Sequence, residues 1–150
     1  MTAVTAAEVV GGLVVHLDTA LLRSAGGSQT NAEKTASEDR AVVGPHYFLI
    51  LGVDPNAQVA LAVPLFSKWA PGSRQLDEGK KDGLADKWIG EDSRYSQWQH
   101  WRIPVGAIVA ASAGDEATAA NRRSYAASSP EELKTIGAWA SKNRNAFRNV

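Results

Sequence analysis

Two apolar runs in the middle of the chain predict a β-hairpin. Residues 47–53 are apolar without interruption, which is typical of a strand that is covered on both faces. Residues 54–57 have the composition of a turn, because Asp, Pro and Asn favour turn conformations. Residues 59–66 predict the returning strand, in which Pro64 marks an edge or an end because it has no N–H to donate.

Further strand signals flank this hairpin. The density of β-branched residues over 13–18 favours a strand, and residues 19–23 could continue it as a helical turn, since periodicity leaves this open. Residues 88–90 predict a short strand, and the alternation of large and polar residues over 98–105 predicts a half-buried one. Residues 106–111 follow as a further strand or as a turn into one.

The remaining segments are interpreted as one loop and two helices. Residues 24–40 have no apolar periodicity, which indicates a flexible loop. The Ala-rich residues 115–127 predict a short helix. A second helix is predicted to have Ser129 as its N-cap and Pro130 at its first position, with Glu132 closing a capping box. Its apolar stripe comprises Leu133, Ile136, Trp139, Ala140 and Phe147.

Composition places the chain among globular proteins. Its 150 residues correspond to a single domain, 1–150, and its 44% hydrophobic and 21% charged residues are ordinary values. Sixteen basic and sixteen acidic residues give a formal net charge of +0, which argues against attachment to nucleic acid by bulk charge. Without cysteines, disulfides, thiolate zinc sites and Cys nucleophiles are excluded. No membrane-length apolar run and no secretion signal are recognised, so a cytoplasmic location without membrane contact is expected.

The predicted elements together indicate an α+β domain. A small β-barrel or curled sheet is expected over about residues 10–112, followed by a helical C-terminal region over about 115–150. One core is expected, and it contains Leu13, Val15, Phe48, Ile50, Leu61, Val63 and Ile103.

Several kinds of site are disfavoured by residue spacing. The three histidines (His16, His46 and His100) follow no HExxH or HxH pattern, so no metal site is predicted. The glycine pairs fit neither a P-loop nor a dinucleotide-binding fingerprint, and no GxSxG motif is present. No cofactor is therefore expected.

One rim of the predicted hairpin combines groups that move protons and bind anions. His46 opens the central strand, and an imidazole at such a position exchanges a proton near neutral pH. Ser67, Lys68 and Trp69 end the paired strand, and a hairpin returns them toward His46. The alternative is that His46 and Ser67 are ordinary strand-end and loop residues.

An aromatic cluster over residues 88–102 offers a second candidate surface. Alternation places Trp98, His100 and Arg102 on one face of a strand, with Trp101 on the other. Exposed rings beside a guanidinium stack on single-stranded bases, but the same rings would otherwise fill the core.

The order of these segments resembles the MazF/PemK-type toxins over roughly residues 10–110. The resemblance rests on Leu13-Val14-Val15-His16-Leu17-Asp18, a long loop, Gly44-Pro45-His46-Tyr47-Phe48-Leu49-Ile50-Leu51, and Val63-Pro64-Leu65-Phe66-Ser67-Lys68. It implies an SH3-like (PemK-type) β-barrel that cuts single-stranded RNA without a metal. His46 stands where the family has an Arg, and Phe66 replaces the usual Thr, which leaves Ser67 as the nearest hydroxyl.

The resemblance therefore implies an endoribonuclease toxin of a toxin–antitoxin system. Its catalytic residues would be His46 and Ser67, and its substrate-binding residues Arg40, Lys68, Trp69, His100 and Arg102. The implied partners are RNA, an antitoxin protein or RNA, and a second copy in a homodimer. The alternative is a non-catalytic protein-interaction or RNA-binding module on the same barrel, which would account for the loss of the Arg and the Thr.

Overall fold

A computed structural model shows that the chain has an α+β fold dominated by antiparallel strands. It describes residues 4–32, 41–83, 86–112, 123–126 and 129–150. The strands are β1 Leu13–Asp18, β2 Gln29–Thr30, β3 Pro45–Asp54, β4 Val59–Pro64, β5 Ser73–Gln75, β6 Lys81–Asp82, β7 Arg94–Ser96, β8 Trp101–Pro104, β9 Arg123–Tyr125 and β10 Arg148–Asn149. The helices are α1 Thr19–Ala25, α2 Asp86–Gly90, α3 Val105–Ser112 and α4 Pro130–Ala140.

The predicted hairpin is confirmed as β3 and β4. These strands pair from Phe48–Pro64 at one end to Asp54–Val59 at the other, with a bulge between Ile50 and Gly52. Asp54 fixes the turn, since its Oδ1 accepts hydrogen bonds from the amides of the next turn residues. Pro64 is the last residue of β4, as expected of a residue that cannot donate to the ladder.

The sheet does not close into the expected barrel. Its eight strands follow the order β10-β2-β8-β4-β3-β1-β9-β6, and no pairing joins β10 to β6 in the described part of the chain. Strands β5 and β7 form a separate two-stranded sheet, which an isolated bridge between Phe66 and Arg94 attaches to the end of β4. The open sheet leaves both of its faces to be covered by other elements.

Two cores replace the single predicted core, because successive side chains of a strand point to opposite faces. One face carries Val15, Leu17, Phe48, Ile50, Ala62, Trp101 and Ile103 against residues of α1 and α3. The other carries Val14, Leu49 and Val63, which belong to one core with Trp88 of α2, Tyr95 of β7 and residues of α4. Val63 therefore belongs to a different core from Phe48, Leu13 is only partly buried, and Leu61 is 39% exposed.

Helices occupy three places where the sequence left a choice or predicted strands. Residues 19–25 form α1, and the Asp18 side chain caps it by accepting a hydrogen bond from the Ala20 amide at 2.9 Å. Residues 106–111 lie in α3, which buries Ala107, Ile108 and Ala111; an apolar run without clear periodicity does not distinguish a buried helix from a strand. The expected strand at 88–90 is the end of α2.

The predicted loop 24–40 contains ordered structure in its first half. Strand β2 inserts between β8 and β10, and the Thr30 hydroxyl donates to the His100 carbonyl at 3.0 Å. Both Thr30 and Asn31 are buried, so polar composition here reflects a satisfied interior segment rather than a flexible loop. Residues 33–40, with Arg40, lie outside the described residues.

The C-terminal region differs from the sequence prediction in three respects. Residues 123–125 of the predicted first helix form β9, and the expected helix over 115–122 lies outside the described residues. Ser129 is the N-cap of α4, but its side chain makes no capping hydrogen bond, so the capping box is wrong. Glu132 instead accepts hydrogen bonds from the Tyr125 hydroxyl and from Lys80. Leu133, Ile136 and Ala140 are buried as predicted, whereas Phe147 lies beyond the end of the helix.

Candidate functional site

A cavity of about 730 Å³ lies where the end of β4 leaves β3. Both predicted catalytic residues, His46 and Ser67, line it, together with Lys68 and Trp69. The predicted rim is therefore a real feature of the fold.

Backbone pairing explains how the hairpin brings these residues together. The Leu65 amide donates to the Tyr47 carbonyl at 2.8 Å, so the chain stays paired with β3 for one residue beyond β4. Phe66 then exchanges two backbone hydrogen bonds with Arg94, at 2.8 and 2.7 Å. These bonds direct Ser67, which is exposed, to the mouth of the cavity.

His46 is partly buried between aromatic rings. Its ring centroid lies 5.1 Å from that of Phe66 and 6.3 Å from that of Phe48. Burial lowers the pKa of His46, a backbone hydrogen bond with Leu65 opposes this shift, and the nearby His16 lowers the pKa further. The neutral imidazole, which can accept a proton, is thereby favoured. Its Nε2 atom is shielded from solvent and has no hydrogen-bond partner in the described part of the chain.

A second group of cavity residues was not anticipated from the sequence. His16 on β1 pairs with Tyr47 on β3, and their ring centroids are 4.6 Å apart. The guanidinium carbon of Arg123 lies 3.9 Å from the centroid of the Tyr47 ring and 5.6 Å from that of Trp88. Alternation along a strand puts His16 on the face opposite Leu17, but its neighbours in the cavity depend on the β1–β3 register. Arg123 was missed because its segment was interpreted as helical.

Arg123 retains an unused hydrogen-bond donor. Its Nε atom is buried and has no partner among the described residues. Burial lowers the pKa of Arg123, which the proximity of Tyr47 and Glu91 opposes. A guanidinium remains charged under such conditions, so Arg123 is a candidate for binding an anionic group inside the cavity.

The ionised groups of the cavity balance one another. Lys68 and Arg123 face the same space as Glu91 and Asp92, and the Asp92 carboxylate accepts a hydrogen bond from Gln75 at 2.7 Å. A ligand would therefore be selected by local contacts with individual groups and rings rather than by a strong overall potential.

Two tryptophans fix the loop that carries Ser67, Lys68 and Trp69. The Trp98 indole nitrogen donates to the Pro71 carbonyl at 2.7 Å, and that of Trp139 donates to the Gly72 carbonyl at 3.0 Å. The loop is thus followed by a turn at Pro71 and Gly72, and two indole N–H groups from separate segments of the chain hold this turn in place. Trp139 also packs beneath the guanidinium of Arg74, whose carbon lies 3.7 Å from the ring centroid.

Two predicted substrate-binding residues, His100 and Arg102, are not among the described residues that line the cavity. His100 is buried, with its ring centroid 5.8 Å from that of Phe147. The Arg102 guanidinium carbon lies 3.8 Å from the centroid of the same Phe147 ring. Both therefore contact the C-terminal segment. Arg40 lies outside the described residues.

The aromatic residues between 88 and 102 are mainly core residues. Trp88, Tyr95 and Trp101 are buried, and Trp98 is partly buried. The interpretation that these rings fill the interior is therefore confirmed for three of them, although Trp88 and Trp98 also line the cavity.

In the described ranges no three His, Asp or Glu side chains are grouped as metal ligands would be. No helix there has the length and apolar character needed to cross a membrane. Comparisons of the chain with protein-family models, curated proteins and solved structures found no match.

Proposed function

We propose that the cavity binds single-stranded RNA and that the protein is a metal-independent endoribonuclease. In this proposal it is related to the MazF/PemK-type toxins, and its sheet is open where theirs closes into a barrel. The observation that carries this proposal is the presence of His46, His16, Ser67 and Arg123 on one cavity lined by aromatic rings. The same proposal includes an antitoxin that occupies or covers this cavity.

RNA cleavage without a metal suits this set of groups because the substrate supplies its own nucleophile. The ribose 2′-oxygen bonds to the adjacent phosphorus while the bond from phosphorus to the 5′-oxygen breaks. In the proposal His46 accepts the proton of the 2′-hydroxyl, and His16 returns a proton to the departing 5′-oxygen. Arg123 and Lys68 stabilise the negative charge that develops on the phosphorane.

Ring contacts would position the nucleotide before the reaction. Tyr47, Phe66 and Trp69 line the cavity, and aromatic faces bind unpaired bases without regard to sequence. Trp69 is 69% exposed, so it is accessible for stacking on a base at the mouth. Since Nε2 of His46 is shielded in the free protein, RNA binding must expose this atom before it can accept a proton.

The decisive experiment compares cleavage of a labelled single-stranded RNA by histidine variants in the presence of EDTA. His46→Ala and His16→Ala should each lower the rate roughly 10²–10⁴-fold, the usual contribution of general acid–base catalysis. The matched control is His100→Gln, which alters a histidine outside the cavity lining and should leave the rate of the folded protein unchanged.

Chemical substitution of the substrate provides a second control. An oligonucleotide with a 2′-deoxyribose at the cleaved position should bind but remain intact, because the internal nucleophile is missing. Cleavage of an all-deoxy strand, inhibition by EDTA, or full activity of His46→Ala would each refute the mechanism.

A non-catalytic interaction module is the second candidate function. The shielding of His46 Nε2 favours it, as does the exposure of Trp69 and of Val43, which is 82% exposed. This candidate predicts that the purified protein cleaves no RNA at any pH and that its expression does not arrest bacterial growth. A toxin should arrest growth, and His46→Ala should relieve the arrest.

A further inference from the structure

A second, smaller recess shares a wall with the cavity. It has a volume of about 320 Å³ and is formed by Gln97 and Trp98 on one side and by residues 142–145 on the other. Trp98 lines both spaces, so the recess and the cavity adjoin at this residue.

The far side of the recess is held rigidly by Asn143. Its side-chain nitrogen donates to the backbone carbonyls of Asn31 at 2.6 Å and of Trp98 at 2.7 Å. The Asn31 side-chain nitrogen in turn donates to the backbone carbonyl of Asn143 at 3.1 Å. The Asn143 side-chain oxygen accepts from the Asn145 amide at 2.9 Å. These bonds fix the turn relative to Trp98, and a fixed turn loses little conformational entropy when it binds a ligand.

The recess carries positive charge, and the described residues that line it include no carboxylate. Lys142 and Arg144 flank Asn143 and are both exposed. Neither forms a salt bridge with another described residue, and the lining that the structure describes contains no Asp or Glu. The Lys142 ammonium lies 4.7 Å from the centroid of the Trp139 ring, which holds this cation beside the recess. The cavity itself, by contrast, includes Glu91 and Asp92.

We infer that this recess is an anion subsite that binds the phosphodiester backbone of the strand on one side of the nucleotide held in the cavity. The inference rests on the proposed function, since it extends the path of the same RNA. Lys142 and Arg144 contact the phosphates, and the side-chain amides of Asn145 and Gln97 provide neutral polar contacts. The subsite is independent of base identity, because phosphates carry no sequence information.

Binding measurements with two lengths of RNA test the subsite. The probes are a dinucleotide, which fills the cavity alone, and a decanucleotide with 2′-O-methyl riboses, which cannot be cleaved. The double variant Lys142→Gln/Arg144→Gln should bind the decanucleotide about tenfold more weakly near 0.1 M salt. The slope of log affinity against log salt should fall in magnitude by about 1.4, since each lost phosphate contact on a single strand accounts for about 0.7. Its affinity for the dinucleotide should equal that of the wild type.

The matched control removes two exposed cations elsewhere, Arg23 at the end of α1 and Lys134 on α4. Arg23→Gln/Lys134→Gln should leave both affinities and the salt slope unchanged. Equal losses in the two double variants, or an equal loss with the dinucleotide, would overturn the subsite.

Failure of the proposed function has a different signature. If the cavity does not bind RNA, the dinucleotide will not bind and Arg123→Gln will not weaken the decanucleotide complex. A decanucleotide complex that depends on Lys142 and Arg144 but not on Arg123 would leave the subsite standing and remove the cavity from the path. Absence of decanucleotide binding would refute both.

Discussion

Lys81 and Trp88 are joined both by a hydrogen bond and by a ring contact. The Lys81 ammonium donates to the Trp88 carbonyl at 2.9 Å and lies 4.5 Å from the centroid of the Trp88 ring. It also donates to the Glu91 carbonyl at 2.8 Å and forms an ion pair with Glu78 at 2.8 Å. All three of its donors are thus used, and the wall of the cavity formed by Trp88 and Glu91 is attached to β6.

Replacement of this buried lysine should be strongly destabilising. The Lys81 side chain is 0% exposed, so Lys81→Met leaves two carbonyl oxygens of the α2 end without their donor. We expect the free energy of unfolding to fall by about 3 kcal/mol, within the range for broken buried charge networks. The neighbouring Lys80→Met is the control: its ion pairs are partly exposed, and its loss should cost below about 1 kcal/mol in urea unfolding. Equal effects would contradict the role given to Lys81.

Two hydrophobic positions that the sequence assigned to one core should respond differently to truncation. Phe48 is fully buried and its ring packs against Trp101 with centroids 5.4 Å apart, so Phe48→Ala should cost about 3–5 kcal/mol. Leu61→Ala should cost about 1 kcal/mol or less, because this side chain is already 39% exposed. Chemical denaturation of both variants measures the difference, and similar losses would show that Leu61 is buried in solution.

The two helix N-caps offer a matched comparison. Asp18→Ala removes the side chain that accepts the Ala20 amide and should lower stability by about 1 kcal/mol. Ser129→Ala should change stability by less than about 0.5 kcal/mol, since the Ser129 hydroxyl makes no capping hydrogen bond. A larger loss in Ser129→Ala than in Asp18→Ala would be inconsistent with these caps.

Stability should decrease in mildly acidic solution because of His100. Burial lowers the pKa of His100 from its ordinary value of 6.5, and the nearby Arg102 lowers it further. As the pH falls through 6.5, the unfolded chain takes up a proton that the folded protein resists, so the free energy of unfolding decreases. We expect this loss of stability to develop between about pH 7.5 and 5.5, and the lowered pKa of His46 adds to it in the same direction. In thermal unfolding across this range, His100→Gln should show a weaker pH dependence than the wild type; an identical dependence would remove His100 as its source.

Glycine substitutions should separate backbone strain from crowding at the cavity wall. Gly72 and Gly26 both have positive φ angles, +81° and +79°. A Cβ at Gly26 meets nothing within 4 Å, so Gly26→Ala should cost about 1 kcal/mol from conformation alone. At Gly72 it would lie 2.8 Å from the Trp98 indole nitrogen, so Gly72→Ala should cost more and shift Trp98 fluorescence. Unfolding curves and emission spectra of the two variants test this, and unchanged Trp98 emission would contradict the close approach.

The central hairpin was predictable because its signals agree at every level. An uninterrupted apolar run, a turn with Asp and Pro, and a strand-ending Pro64 all lead to the same local structure. Residues 106–111 lack such agreement, since small apolar residues serve a buried helix and a buried strand equally well. The local pattern does not distinguish the two, and the helix is seen only in the fold, where α3 packs against α1, β1 and β8.

The site was predictable only as far as the hairpin itself reaches. His46 and Ser67 line the same cavity because two adjacent strands bring them together, and the local sequence pattern predicts this pair of strands. His16 and Arg123 enter the cavity through the pairing of β1 with β3 and β9, and nothing in the local sequence specifies those registers. His100 and Arg102 do not lie on the predicted surface, because β2 and β10 extend the sheet beside them.

The position of β2 has a consequence for synthesis on the ribosome. Thr30 bonds to a carbonyl 70 residues further along the chain, and Gln29 bonds to a side chain 120 residues further. At 5–20 residues per second, the nascent segment waits about ten seconds between its own emergence and that of its last partner. Until then both backbone edges of β2 lack their partner strands and stay open to water and to other chains. This side of the sheet is therefore completed late, by a slow loop closure.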